Sequence, residues 1–248
     1  MLVLKNCAVV VTGGASGIGL GIAKAFAEAG AKVCIGGRRK DAVDASVETV
    51  KASEGLSGQI YGHPMDVSNR EQVKAFFDWS TETIGPTDIL VQAAGVNIRN
   101  RAIDLMTPEE WDQVIAINTT GAYNCLTAVL PSMRARKDGL IINISSVAGK
   151  RAIALGGVAY GASKFAMTAL GTCVSNEVAS DGVRVTNVYP GEVNTPILDK
   201  RPIPVSAEHK AQILQPEDIA AMILAIAVLP PRAHVPEIVI KPLSQVYF

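Results

Sequence analysis

Tyr160 and Lys164 stand four residues apart in Tyr160-Gly161-Ala162-Ser163-Lys164, fourteen residues after Ser146. On a helix, residues at i and i+4 project from one face, which would set the ammonium beside the phenol. A neighbouring cation favours the phenolate and draws its pKa down from about 10 toward a pH where the group can both give and take a proton. That is the chemistry of proton transfer at a carbonyl, with Ser146 placed to hold the substrate oxygen. A Tyr-x-x-x-Lys pair also occurs on helix surfaces by chance, so its meaning depends on the elements around it.

A second constellation lies near the N-terminus, where Thr12-Gly13-Gly14-Ala15-Ser16-Gly17-Ile18-Gly19 follows an apolar run and opens a helical pattern. Glycines there let the backbone approach a pyrophosphate. The free N–H groups and the positive end of the helix dipole attract it.

Around these motifs, short apolar runs alternate with helical patterns, the signature of βαβ units on a parallel sheet. The predicted strands cover residues 7–12, 32–36, 59–62, 88–91, 140–145, 183–189 and 237–241. Ile18, Ile22, Phe26 and Ala29 mark one helical stripe ended by Gly30, and Ser68-x-x-Glu71 and Thr107-x-x-Glu110 read as capping boxes. One helix after Trp111 carries Asn118, and another beginning near Gly157 carries Tyr160 and Lys164. Residues 194–215, with Pro196, Pro202 and Pro204, form no strand pattern and read as a mobile flap.

Glycines spaced Gly-x-x-x-Gly-x-Gly resemble the short-chain dehydrogenase/reductase family. The resemblance continues in family order through Asp66-Val67, Gln92-Ala93-Ala94-Gly95, Asn118, Ser146, Tyr160-x-x-x-Lys164 and Pro190-Gly191. It implies a single doubly wound Rossmann-type domain over residues 1–248, with seven parallel strands flanked by helices and a nicotinamide cofactor at their carboxyl ends. It also implies a catalytic set of Asn118, Ser146, Tyr160 and Lys164, in which Lys164 binds the nicotinamide ribose and Asn118 holds a water that relays protons. The cofactor contacts it implies are Gly13, Ser16, Gly17, Ile18 and Gly19 at the pyrophosphate and Asp66 and Val67 at the adenine. Ala94 and Gly95 follow the fourth strand, and Pro190, Gly191, Val193 and Thr195 lie at the nicotinamide. Where the family commonly has Asn-Asn-Ala-Gly, this chain has Gln92-Ala93-Ala94-Gly95, which alters side chains that steady the sheet and line the adenosine side.

The end of the second strand chooses between cofactors. An acid there would bind a ribose 2′-hydroxyl and repel a 2′-phosphate, but Gly36-Gly37 stands in its place with Arg38 and Arg39 next. Guanidinium groups bind phosphate through paired, charge-assisted hydrogen bonds, so NADP(H) is expected over NAD(H).

The expected reaction is the NADP(H)-dependent interconversion of a carbonyl and an alcohol, with Tyr160 as general acid and base. The alternative is an NADP(H)-binding redox sensor or regulatory module without turnover. Ketoacyl thioesters, small hydroxy acids or sugars, and hydrophobic ketones all stay open as substrates, to be chosen by residues 149–157 and 192–215.

Composition narrows the partners. With 23 basic and 23 acidic residues, no long basic run and 48% hydrophobic residues, the 248-residue chain suits a small-molecule ligand rather than nucleic acid or a membrane surface. The longest aliphatic stretch, residues 219–229, is far short of the roughly 20 residues that cross a bilayer. Met1-Leu2-Val3 opens no signal-peptide pattern, and Val246-Tyr247-Phe248 matches no retention address, so a cytoplasmic location is expected. Cys7, Cys34, Cys125 and Cys173 have no metal-ligand spacing, and His63, His209 and His234 have no catalytic or metal partners, so no metal is expected. The family resemblance implies a homo-oligomer, a tetramer or a dimer.

Overall fold

The computed structural model describes residues 4–246; Met1-Leu2-Val3 and Tyr247-Phe248 lie outside the described residues. Seven strands form one sheet: β1 (Ala8–Thr12), β2 (Lys32–Gly37), β3 (Gln59–Pro64), β4 (Ile89–Gln92), β5 (Gly139–Ile144), β6 (Val183–Pro190) and β7 (Glu237–Ile240). Their order is β3-β2-β1-β4-β5-β6-β7, and every pairing is parallel. Each predicted strand lies within two residues of an observed one.

The helices are α1 (Gly17–Glu28), α2 (Lys40–Lys51), α3 (Arg70–Ile84), α4 (Pro108–Ile115), α5 (Gly121–Arg136), α6 (Val158–Val178), α7 (Ala207–Gln212) and α8 (Pro216–Ala227). Strand alternation assigns them to faces. Val9 and Val11 of β1 pack in one core with Phe26 of α1, Val43 of α2 and Ile223 of α8, while Ala8 and Val10 pack in the other with Phe76 of α3 and Leu126 of α5. All three valines are fully buried, each worth about 1.5–3 kcal/mol, so both faces of β1 must be covered and its sequence reads as unbroken apolar.

From β1 the sheet runs outward through β2 and β3 on one side and through β4 on the other. This reversal opens a crevice at the carboxyl ends of β1 and β4, where α/β sheets bind ligands.

A polar ladder crosses the same sheet in its interior. Gln92 Nε2 donates to Asn143 Oδ1 at 3.0 Å, and Asn143 Nδ2 donates to Asn187 Oδ1 at 3.0 Å, joining β4, β5 and β6 through buried side chains. The family departure at Gln92 thus does steady the sheet, although Gln92 Oε1 is left without a hydrogen-bond partner.

Two local expectations are corrected. Thr107 and Glu110 form the predicted capping box at α4, but α3 is capped by Asn69, whose side chain accepts from Gln72 N at 3.0 Å. Ser68 turns away because its hydroxyl donates to Asp66 Oδ1 at 2.7 Å, a local bond that competes with capping. Asn118 also does not ride on one continuous helix; α4 and α5 meet through a π-helical turn, Ala116–Thr120, that contains it. Such turns interrupt the regular ladder and re-aim side chains, often at functional sites.

Candidate active site

The glycine-rich turn closes tightly over the carboxyl end of the sheet. Gly13 has φ +66°, and a Cβ there would lie 2.7 Å from the Ala94 backbone, so only glycine lets the turn lie this close to the strand-four loop. Ser16 then caps α1 in extended geometry with no side-chain capping bond, and the first turn of α1 contains no acid. The turn therefore presents free N–H groups and a hydroxyl to an anion.

Tyr160 and Lys164 lie in the first two turns of α6, and Ser146 follows β5 at the start of a short 3-10 turn. Lys164 Nζ sits 5.7 Å from the centroid of the Tyr160 ring, so the i, i+4 spacing does bring the ammonium to the phenol's side chain. It donates to the Ile144 carbonyl at 2.8 Å, which ties α6 to the end of β5. A Cβ on Gly95 would lie 3.5 Å from Lys164 Nζ and 3.6 Å from Asn118 Oδ1, so this glycine is the meeting point of the two.

Asn118 is completely buried. Its Oδ1 accepts from Val96 N at 2.8 Å, and its Nδ2 donates to Val96 O at 3.0 Å and to Ser163 Oγ at 2.9 Å. Ser163 Oγ in turn donates to the Tyr160 carbonyl at 2.8 Å. The amide thus locks the strand-four loop to the first turn of α6.

Protonation is governed by burial more than by the expected pair. Burial pushes the Tyr160 phenol above its usual value, while a hydrogen bond with the Ser146 side chain and then the charge of Arg101 pull it back. Burial also pushes Lys164 down to about 8. The charge of Arg101 draws the phenol downward, and Lys164 Nζ is the cation nearest in the same helix, 5.7 Å from the ring centroid. Lys164 is itself desolvated, which disfavours its charged form, and it is bound to a carbonyl.

These groups line one cavity of about 870 Å³, within the range of small-molecule sites. Of the expected catalytic residues, Ser146, Tyr160 and Lys164 reach it and Asn118 stays behind the wall. Of the expected cofactor residues, Gly13, Ser16, Gly17, Ile18, Gly19, Arg38, Arg39, Val67, Ala94, Gly95, Pro190, Gly191, Val193 and Thr195 line it. Asp66 does not; its Oδ1 accepts from Ser68 N and Ser68 Oγ, which holds it in the turn after β3.

Arg38 and Arg39 stand exposed at the rim beyond β2, and neither has an ion-pair partner among the described residues. At the opposite end the wall is built by Thr195, Pro196 and Leu198 of the expected flap. That segment folds as a 3-10 turn and α7, and its ends are pinned by a parallel bridge from Val193 to Leu214.

Arg101, Asn97 and Met65 also line the cavity without having been singled out. Asn97 and Arg101 come from a polar loop after β4, where an arginine reads the same as any solvated one. Only the fold turns it inward. Among the described residues no cluster of three His, Cys, Asp or Glu groups is arranged to hold a metal, and no helix is long and apolar enough to cross a membrane.

Comparison with known proteins agrees with this geometry. Residues 7–203 match the family model described as short chain dehydrogenase. An uncharacterized oxidoreductase of Listeria monocytogenes is 34% identical over 251 residues, covering 98% of this chain and 99% of that protein. Glycine betaine reductase of Emericella nidulans is 37% identical over 244 residues, covering 96% of this chain, which spans 19% of that protein's length. Among solved structures, a metagenomic short-chain oxidoreductase in complex with NADP is 32% identical with a TM-score of 0.82, covering 98% of this chain and all of that one (100%).

Proposed function

The chain belongs to the short-chain dehydrogenase family, and on that premise we propose that it interconverts a ketone or aldehyde and the corresponding alcohol with NADP(H). The observation that carries this reading is that Ser146, Tyr160 and the buried Lys164 line one cavity, with Lys164 Nζ 5.7 Å from the centroid of the Tyr160 ring. Two hydroxyls that line one cavity can converge on one substrate oxygen.

In the reduction, Tyr160 donates its proton to the carbonyl oxygen as charge develops there, and Ser146 hydrogen-bonds the same oxygen. Lys164 holds a positive charge behind the phenol and fixes α6 against β5. Asn118 is a positioning residue: both its N–H donors and one lone pair are committed to Val96 and Ser163, so the water relay implied by resemblance would use what remains, one lone pair and the backbone. Bound NADPH supplies the hydride that reaches the carbonyl carbon.

Support for NADP(H) over NAD(H) comes from Arg38 and Arg39 at the rim, with no acid at the end of β2. The bound NADP of the metagenomic relative agrees with it. Two further expectations stay part of the proposal. Tyr123 of α5 and Phe165 of α6 are 46% and 43% exposed, which suits burial in a homo-oligomer, testable by light scattering. Four free cysteines suit the reducing cytoplasm.

A panel of ketones and aldehydes assayed with NADPH and NADH in parallel tests the reading. Oxidation of NADPH by at least one class, faster than of NADH, is expected. Tight NADPH binding with no turnover across the panel would overturn it in favour of a sensor.

A further inference from the structure

At the substrate end of the cavity, Arg101 is a half-buried guanidinium held by main-chain carbonyls. Arg201 is paired with Glu192 at 3.3 Å, and Glu192 also meets His209 Nε2 at 2.7 Å. Arg101 has no carboxylate partner among the described residues. Its guanidinium is held instead by three backbone carbonyls from three segments: Nε donates to Ile98 O at 2.9 Å, Nη1 to Leu155 O, and Nη2 to Lys200 O at 3.2 Å. A guanidinium has five N–H donors, so one on each terminal nitrogen stays uncommitted.

The anchoring is rigid and close to the chemistry. The Arg101 carbonyl accepts from Val158 N at 3.3 Å, and a Cβ on Gly157 would lie 2.5 Å from the Arg101 Cβ, so the residue packs on the start of α6 just before Tyr160. Arg101, Tyr160 and Ser146 line the same cavity. On that side Arg101, Lys200 and Arg201 face Glu192 alone, three cations against one carboxylate.

We infer that Arg101 is the anchor for a carboxylate on the substrate, which makes oxo acids and their hydroxy acids the preferred substrate class. This rests on the carbonyl reduction proposed above. A half-buried cation with fixed donors and no counter-ion is unfavourable by itself and is relieved when a ligand brings the anion. Burial and then repulsion from Arg201 lower the Arg101 pKa, as expected of a cation lacking its partner. The two uncommitted N–H groups suit the paired oxygens of a carboxylate. Ile153, Leu155 and Leu198 at the same end favour an aliphatic chain between carboxylate and carbonyl.

The test compares oxo acids with their methyl esters, which keep the carbon skeleton and remove the charge. With NADPH, the wild-type protein should favour the acid in kcat/KM by about tenfold to a hundredfold, the effect of hydrogen bonds to a charged group. Arg101→Gln should collapse that ratio at least tenfold, and Arg101→Lys should keep part of it. A wild-type protein indifferent to the charge overturns the inference. So does an Arg101→Gln protein that loses acid and ester activity equally, because a latch between loops or a charge acting only on Tyr160 would lower both. Calorimetric titration of glutarate into the NADP+-saturated protein is independent of turnover. Binding weakened at least tenfold in Arg101→Gln supports the anion site even where neither series is reduced, an outcome that sinks the reductase reading instead. Absence of glutarate binding to the wild type, together with no acid preference, overturns the anion site.

Discussion

Lys164 Nζ donates to the main-chain carbonyl of Ile144 at 2.8 Å from a side chain only 4% exposed. Ile144 ends β5, two residues before Ser146, so one buried ammonium couples the helix that bears the phenol to the strand that delivers the serine.

Burial that lowers Lys164 from 10.5 to about 8 makes stability depend on pH. Below pH 8 the folded and unfolded chains both carry the proton, and above 10.5 neither does. Between those values the unfolded chain binds more protons, so this residue's contribution rises with pH. The unfolding free energy of wild type minus that of Lys164→Met, from urea titrations, should increase by about 3 kcal/mol across this window. A flat or falling difference would show that the ammonium is not desolvated.

Removing the phenolic hydroxyl should separate chemistry from binding. Tyr160→Phe is expected to lower kcat by about 10²–10⁴-fold, the usual range for a general acid, with NADPH affinity changed less than about threefold by fluorescence titration. Full turnover in this variant would assign the proton to another group.

Cofactor choice should reside in the two rim arginines. Replacing Arg38 and Arg39 together by Ala is expected to reduce kcat/KM for NADPH by about tenfold to a hundredfold and to leave NADH within about threefold. Equal losses with both cofactors would place the 2′-phosphate elsewhere.

The amide ladder predicts a stability defect far from the reacting atoms. A Cβ on Gly171 of α6 would overlap Asn187 Oδ1 and Asn143 Nδ2. Gly171→Ala should therefore cost about 1–3 kcal/mol by overpacking and lower Tm by about 2–12 °C in calorimetry. An unchanged Tm would mean that α6 can lift from the sheet without breaking the ladder.

Much of the fold was legible because it is local and periodic. The apolar runs around Val9–Val11 and Leu140–Ile142 state that both faces are buried, and Gly13 marks a turn that other residues cannot make. Tyr160 and Lys164 share a helix, so their proximity follows from spacing. Ser68 shows the limit at short range: it satisfies the capping pattern, yet Asp66 captures its hydroxyl and Asn69 caps the helix instead.

The sequence by itself determined the parallel sheet, the glycine turn after β1 and the sharing of one helix by Tyr160 and Lys164, since each depends on neighbours within a few residues or on a recurrent order of motifs. Tertiary structure alone decided that Asn118 grips Val96 and Ser163 rather than facing the cavity, that Gln92 begins an amide ladder, and that Arg101 is held by distant carbonyls in the cavity wall. The physical reason is common to all three. Hydrogen bonds and charge effects there join residues tens of positions apart, and their strength depends on how much water the fold removes, which no spacing in the chain records.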